Sequence, residues 1–171
     1  QPVLQTCTVT NGSGKLNGAD ISDLSVRCVD KQWTLPRDVA DFISVKGKAV
    51  FAHTMAIDKS GNIVIVWMQQ DGTSNCAGPC WQIFISEYRN GQWKHPAGST
   101  DYISFSGQNA SSPKVAMDDI GNTIVVWSQT DGTTDCANMS CSRIYKAEYR
   151  NNAWKLPSNL QDSISPAARV S

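Results

Sequence analysis

Charge is scarce in this chain. Only 18% of its 171 residues are Asp, Glu, Lys or Arg, and 15 basic residues balance 15 acidic ones to a formal net charge of +0. Soluble proteins usually carry about 25%. No basic block or stripe breaks the balance, so the electrostatic footprint of a nucleic-acid partner is missing. No stretch approaches the roughly 20 apolar residues of a membrane-spanning helix, and membrane insertion is not expected. Histidine is confined to His53 and His95, far apart in sequence, and no Ser-His-Asp or Cys-His pairing can be assembled from them. A segment with a helical period is also missing. Uncharged polar residues, chiefly Ser, Thr, Asn, Gln and Gly, fill the space that charge leaves. Secreted β-proteins commonly have such surfaces. The chain opens on Gln1-Pro2 rather than Met, and reads as a mature or excised product without a signal peptide.

What the chain has is a repeat. Ala56-Ile57-Asp58-Lys59-Ser60-Gly61-Asn62-Ile63-Val64-Ile65-Val66-Trp67 returns, 60 residues later, as Ala116-Met117-Asp118-Asp119-Ile120-Gly121-Asn122-Thr123-Ile124-Val125-Val126-Trp127. Trp33, Trp93 and Trp154 keep step, as do Pro36, Pro96 and Pro157. The β-branched runs ending in Trp67 and Trp127 are buried-strand signals. Each follows an Asp-x-x-Gly-Asn turn, where Gly and Asn accept positive φ. Trp81–Tyr88 and Ser142–Tyr149 read as a third strand, and Asn90-Gly91 or Asn151-Asn152 as the turn into a short fourth. The fold class expected is all-β: tandem four-stranded antiparallel blades of about 60 residues, of propeller type and incomplete at both ends. The boundaries are a partial blade over 1–32, repeats over 33–92 and 93–153, and a partial blade over 154–171. A closed ring needs about four to eight blades, so either the chain is a piece of a longer one or strands of another copy complete the partial blades.

The pattern Asp-x-x-Gly-Asn-x-x-x-x-Trp, followed by Tyr-x-Asn-x-x-Trp-x-x-Pro, resembles blade repeats of bacterial secreted proteins in the sialidase-like, Asp-box propeller group. The Asp-box itself is degenerate: Arg89-Asn90-Gly91-Gln92-Trp93 keeps a turn and the Trp but lacks the Asp. The resemblance implies a propeller-type fold more than an activity.

Six cysteines, Cys7 and Cys28, Cys76 and Cys80, Cys136 and Cys141, fall in local pairs. An even count so arranged suggests three disulfides and an oxidising compartment. The rival is a zinc site from the two short pairs. Their C-x3-C and C-x4-C spacings lie in separate repeats, which disfavours it, and no metal or cofactor is expected. Trp81 has Ser142 as its counterpart, so it serves no repeated packing role. It is the aromatic best suited to stack on a sugar, with Asp71 and Asp131 in the adjacent cysteine hairpins as companion ligand-binding candidates. Glu87-Tyr88-Arg89 and Glu148-Tyr149-Arg150 hold the residue types of a sialidase centre. The triplet occurs at equivalent points of both repeats, however, and successive strand residues face opposite ways, which favours a structural role. Asp58, Asp118 and Asp119 lie in loops too short for an EF-hand, and turn stabilisation is their simpler role.

The expected function is therefore that of a secreted or cell-surface, non-catalytic binding or self-assembly module. Its partner would be itself or an extracellular glycan. Polymerisation by strand exchange would use Ala168, Arg169 and Val170 against Val26 and Cys28. The alternatives are a glycan-binding, lectin-like propeller and a fragment of a sialidase-like glycoside hydrolase.

Overall fold

In a computed structural model, the described residues are 5–15, 17–18, 20, 22–30, 36–76, 78–133 and 141–165. The chain divides into two compact units, Gln1–Phe42 and Ile43–Ser171. All named strands pair antiparallel, in agreement with the all-β expectation.

The first unit is a two-stranded ribbon of β1 (Gln5–Thr10) and β2 (Ser25–Asp30). Cys7 stands opposite Cys28 and is bonded to it. Val9, Leu24, Val26 and Val29 are exposed. A lone ribbon is marginal in water, so the disulfide, by restricting the unfolded chain, is the main constraint on this unit. β1 is a strand that the repeat pattern alone does not reveal.

The second unit holds two four-stranded sheets. The first runs β3 (Val50–Ile57), β4 (Ile63–Gln70), β5 (Trp81–Arg89) and β6 (Gln92–Lys94). The second runs β7 (Ala110–Met117), β8 (Thr123–Thr130), β9 (Ser142–Arg150) and β10 (Ala153–Lys155). Both are simple meanders. The Asp-x-x-Gly-Asn turns make the first hairpin of each. Asp58 Oδ1 accepts the Ser60 and Asn62 amides at 2.8 and 2.9 Å, and Oδ2 accepts the Asn62 side-chain amide at 2.6 Å. Asp118 repeats this with Ile120 and Asn122. Gly61 and Gly121 take φ of 84° and 86°, which a side chain would strain. β3 and β7 each carry a bulge, after Phe51 and after Ser111. His53 lies in the first of them. Bulges twist an edge strand and discourage its pairing with another chain.

One apolar joint holds the two sheets together. Val64, Val66 and Ile83 of the first sheet meet Val125, Trp127 and Tyr145 of the second, all fully or almost fully buried. The segment entering each sheet crosses the face that carries that sheet's tryptophan, which in the second sheet is the face at the joint, and its backbone polar groups need partners. A buried glutamine two residues after each strand tryptophan supplies them. Gln129 Oε1 accepts the Trp127 indole N–H and the Phe105 amide, both at 3.1 Å. Its Nε2 donates to the Phe105 and Gln108 carbonyls at 2.7 and 3.0 Å. Gln69 does the same for Trp67, Val45 and Lys48. Replacing Gln129 with Leu would leave the Trp127 indole, the Phe105 amide and the Phe105 carbonyl unpaired, while the Gln108 carbonyl keeps the Gln82 side-chain amide at 3.3 Å. Gln129→Leu is expected to cost about 3 kcal/mol or more, by the penalty for orphaned buried groups. Chemical denaturation of variant and parent measures it. An equal loss on replacing the exposed Gln92 would contradict it.

Candidate functional site

The cysteine hairpins were the first candidates. Cys76 and Cys80 are bonded, as the disulfide reading expects. Cys136 lies outside the described residues, so the third pairing stays an expectation; Cys141 is buried and is not a free thiol. Among the described residues, no cluster of three or more His, Cys, Asp or Glu side chains is placed to hold a metal ion. The two disulfides suggest an oxidising compartment. Among the described residues no helix is long and apolar enough to cross a membrane.

Asp71 and Asp131 sit at the neck of these hairpins and are both buried. Each uses Oδ1 on its own turn. Asp71 accepts the Thr73 amide and hydroxyl at 2.7 and 2.9 Å, and Asp131 accepts those of Thr133 at 2.9 and 2.8 Å. The second oxygens differ. Asp131 Oδ2 pairs with Arg143. The residue in register with Arg143 in the first repeat is Gln82, which instead accepts the Ser104 hydroxyl. Asp71 Oδ2 is consequently buried with no hydrogen-bond partner. Burial raises the pKa of Asp131, but the Thr133 hydrogen bonds and the Arg143 guanidinium outweigh it and hold the carboxyl below its ordinary value.

Trp81 is half-buried. Its amide donates to Asn109 Oδ1 at 2.9 Å, and its ring meets Phe51 edge-on at 5.3 Å. Phe51 is exposed, so this aromatic pair beside the Cys76–Cys80 bridge is open to a ligand on one side. Phe51 has no aromatic counterpart in the second repeat, where Ser111 takes its place. That difference was available in the sequence. Of the proposed assembly residues, Val26 is exposed on β2 and Cys28 is bonded to Cys7. Ala168, Arg169 and Val170 lie outside the described residues, as does Trp33.

The Glu-Tyr-Arg triplets meet across the joint. Arg89 Nε donates to Glu87 Oε2 at 2.9 Å. Its other nitrogens reach the Gly121 carbonyl and the Thr123 hydroxyl of the second sheet at 3.1 and 3.0 Å. The guanidinium lies 3.8 Å over the Tyr149 ring. The Trp154 indole donates to Glu87 Oε2 at 3.2 Å. Glu87 and Arg89 are both mostly buried, so this clamp is worth more than a surface ion pair.

Beside the clamp opens a cleft of about 190 Å³, lined in part by Ile85, Glu87, His95, Asp101, Tyr102 and Trp154. Two carboxylates and an imidazole in one cleft suggest acid–base chemistry. Their hydrogen bonds point elsewhere. Glu87 belongs to the clamp, Asp101 accepts the Ala97 amide at 2.9 Å, and His95 Nδ1 contacts Ser86 Oγ at 3.0 Å. Ser86 is fully buried in β5, out of reach of a substrate.

Against known proteins, no family, no curated protein and no solved structure matches this chain.

The two aspartates make a paired prediction. Asp131→Asn removes the charge that Arg143 faces and is expected to destabilise by about 1.5–3 kcal/mol. Asp71→Asn keeps Oδ1 and replaces an orphaned oxygen, and is expected to be neutral or mildly stabilising. Thermal denaturation compares them; equal losses would count against the assignment. The pH dependence has a definite sign. A carboxyl held low in the folded state stabilises above its unfolded pKa, and that contribution disappears as pH falls through the lower folded value. Acid should thus erase the Asp131→Asn deficit, with the difference between variant and parent shrinking below about pH 4.

Proposed function

We propose that this chain is a secreted, non-catalytic β-repeat protein built of propeller-type blades, acting outside the cell as a binding or self-assembly module. The observation that carries the reading is the ribbon of the first unit. Cys28 corresponds to Tyr88 by the 60-residue repeat, and the pairing of Cys7 with Cys28 therefore matches that of Ile63 with Tyr88. β1 and β2 are then the second and third strands of another blade. Among the described residues they have no further strand beside them. Val26 and Cys28 already pair with Val9 and Cys7, so the place for a blade's first strand is beside β1, and that edge suits strand donation from another chain. The disulfides support an oxidising, extracellular setting.

The resemblance to sialidase-like blades suggests catalysis as a rival. The side chains that would serve it, Glu87, Arg89 and Tyr149, are occupied in joining the sheets. Glycan binding has one observation in its favour, the open Phe51–Trp81 pair, since exposed rings stack on sugar C–H faces.

Light scattering under native conditions tests assembly: species larger than the monomer, growing with concentration, are expected. A glycan array with Trp81→Ala as control tests the second reading. A protein that stays monomeric and silent on the array would sink the module reading, and hydrolysis of a fluorogenic sialoside would replace it with the enzymatic one.

A further inference from the structure

The two repeats part company as a group where β9 meets the segment that follows β10. Aligned on Trp93 and Trp154, Arg143 stands where the first repeat has Gln82, and Tyr145 where it has Phe84. Gln161 stands for Thr100, and Ser163 for Tyr102. The framework around them is shared. Asp131 and Thr133 repeat the turn of Asp71 and Thr73. Ser165 Oγ accepts the Ile144 amide at 3.0 Å, as Ser104 Oγ accepts that of Ile83 at 2.9 Å.

In the first repeat this place is filled. The Tyr102 ring stands edge-on to Phe84 at 5.7 Å, and Gln82 Oε1 accepts the Ser104 hydroxyl. In the second repeat, Ser163 leaves the room of that ring empty. The Tyr145 hydroxyl, which Phe84 lacks, donates to the Leu160 carbonyl at 2.8 Å and holds the following segment as a wall. A cleft of about 380 Å³ results, lined in part by Arg143, Asp131, Thr133, Gln161, Ser163 and Ser165. Small-molecule sites occupy roughly 300–1,000 Å³. Arg143 is in register with Gln129, so the cleft lies at the edge of the face that carries Trp127 and Tyr145. Nothing stacked on the opposite face, that of Ile124 and Ile144, would enter it.

The chemistry of the lining is selective. Arg143 and Asp131 are its only charged side chains. Arg143 Nε pairs with Asp131 Oδ2, which fixes the plane of the guanidinium. Among the described residues its terminal nitrogens have no partner, and they are free to donate. Both Asp131 oxygens are engaged, on the Thr133 turn and on Arg143. The pair carries no net charge, so a singly charged oxyanion is favoured over a dianion, whose second charge would face Asp131 uncompensated. A planar guanidinium fork matches a planar carboxylate. The Gln161 amide and the Ser165 hydroxyl offer further hydrogen bonds to ligand hydroxyls.

We propose that this cleft binds a small hydroxylated carboxylate, a hydroxy acid or uronic acid, with its carboxylate on the terminal nitrogens of Arg143. The site is present in the second repeat alone. It goes beyond the module reading, which strand donation or the Phe51–Trp81 pair can satisfy without it.

Titration of the whole chain with D-glucuronate, followed by backbone amide NMR, tests the site. The Thr133, Arg143 and Gln161 amides should shift saturably, and neutral D-glucose should leave them in place. Two variants give the cleft the residues of the first repeat. Arg143→Gln removes the fork, and Ser163→Tyr refills the space while keeping the guanidinium. Each should weaken glucuronate binding about tenfold or more, as loss of a charge-assisted bidentate contact or of the cavity requires. Circular dichroism verifies folding, and Ser163→Tyr decides the matter if Arg143→Gln, which leaves Asp131 unpaired, does not fold. Absence of glucuronate binding, equal shifts with glucose, or variants that bind like the parent would each overturn the proposal. Tighter binding of methyl sulfate than of glucuronate would overturn the assignment to carboxylates.

Discussion

The buried side-chain amide two residues after each strand tryptophan is the interaction on which the rest of this structure depends. Two β-sheets can stack on apolar residues alone, but here the segment entering each sheet must cross the face that carries its tryptophan, which in the second sheet is the joint. Its amides and carbonyls turn toward the sheet there and need protein partners. Gln69 and Gln129 satisfy them, and in the same act orient Trp67 and Trp127 through their indole N–H groups. The amide has donors and acceptor in one planar group, which neither an apolar residue nor a carboxylate provides. Core packing and chain path are thereby fixed together.

Once the crossing segments are held, stacking acquires a direction. The leading face of the first sheet meets the trailing face of the second, and the Arg89 guanidinium closes the contact by touching Glu87, Tyr149 and the Gly121 carbonyl at once. Residues that look catalytic when read in a line become a fastening when read across the joint.

Much of the framework was legible in the residues. The Asp-x-x-Gly-Asn turns, the β-branched strands and the Asn-rich hairpins carry local signals, because positive φ and strand propensity are properties of a few neighbouring residues. The structure has strands at those places. β1 was not legible: Thr6-Cys7-Thr8-Val9-Thr10 lacks the repeat's turn and tryptophan, and only its pairing with β2 makes it a strand. The roles of Asp71 and Asp131 were not legible either. Both sit in an Asp-Gly-Thr turn that looks like an exposed loop, yet both are buried.

The sequence by itself determined the strand order within the two repeats, the turn chemistry and the 60-residue period, since each depends on short-range geometry and on alternation within a strand. Only the tertiary structure decided which face of each sheet is covered, that Gln69 and Gln129 anchor the crossing segments, and that Glu87 and Arg89 bind the sheets together. Those outcomes depend on residues tens of positions apart meeting in space, and no local pattern encodes which of two apolar faces will find a partner.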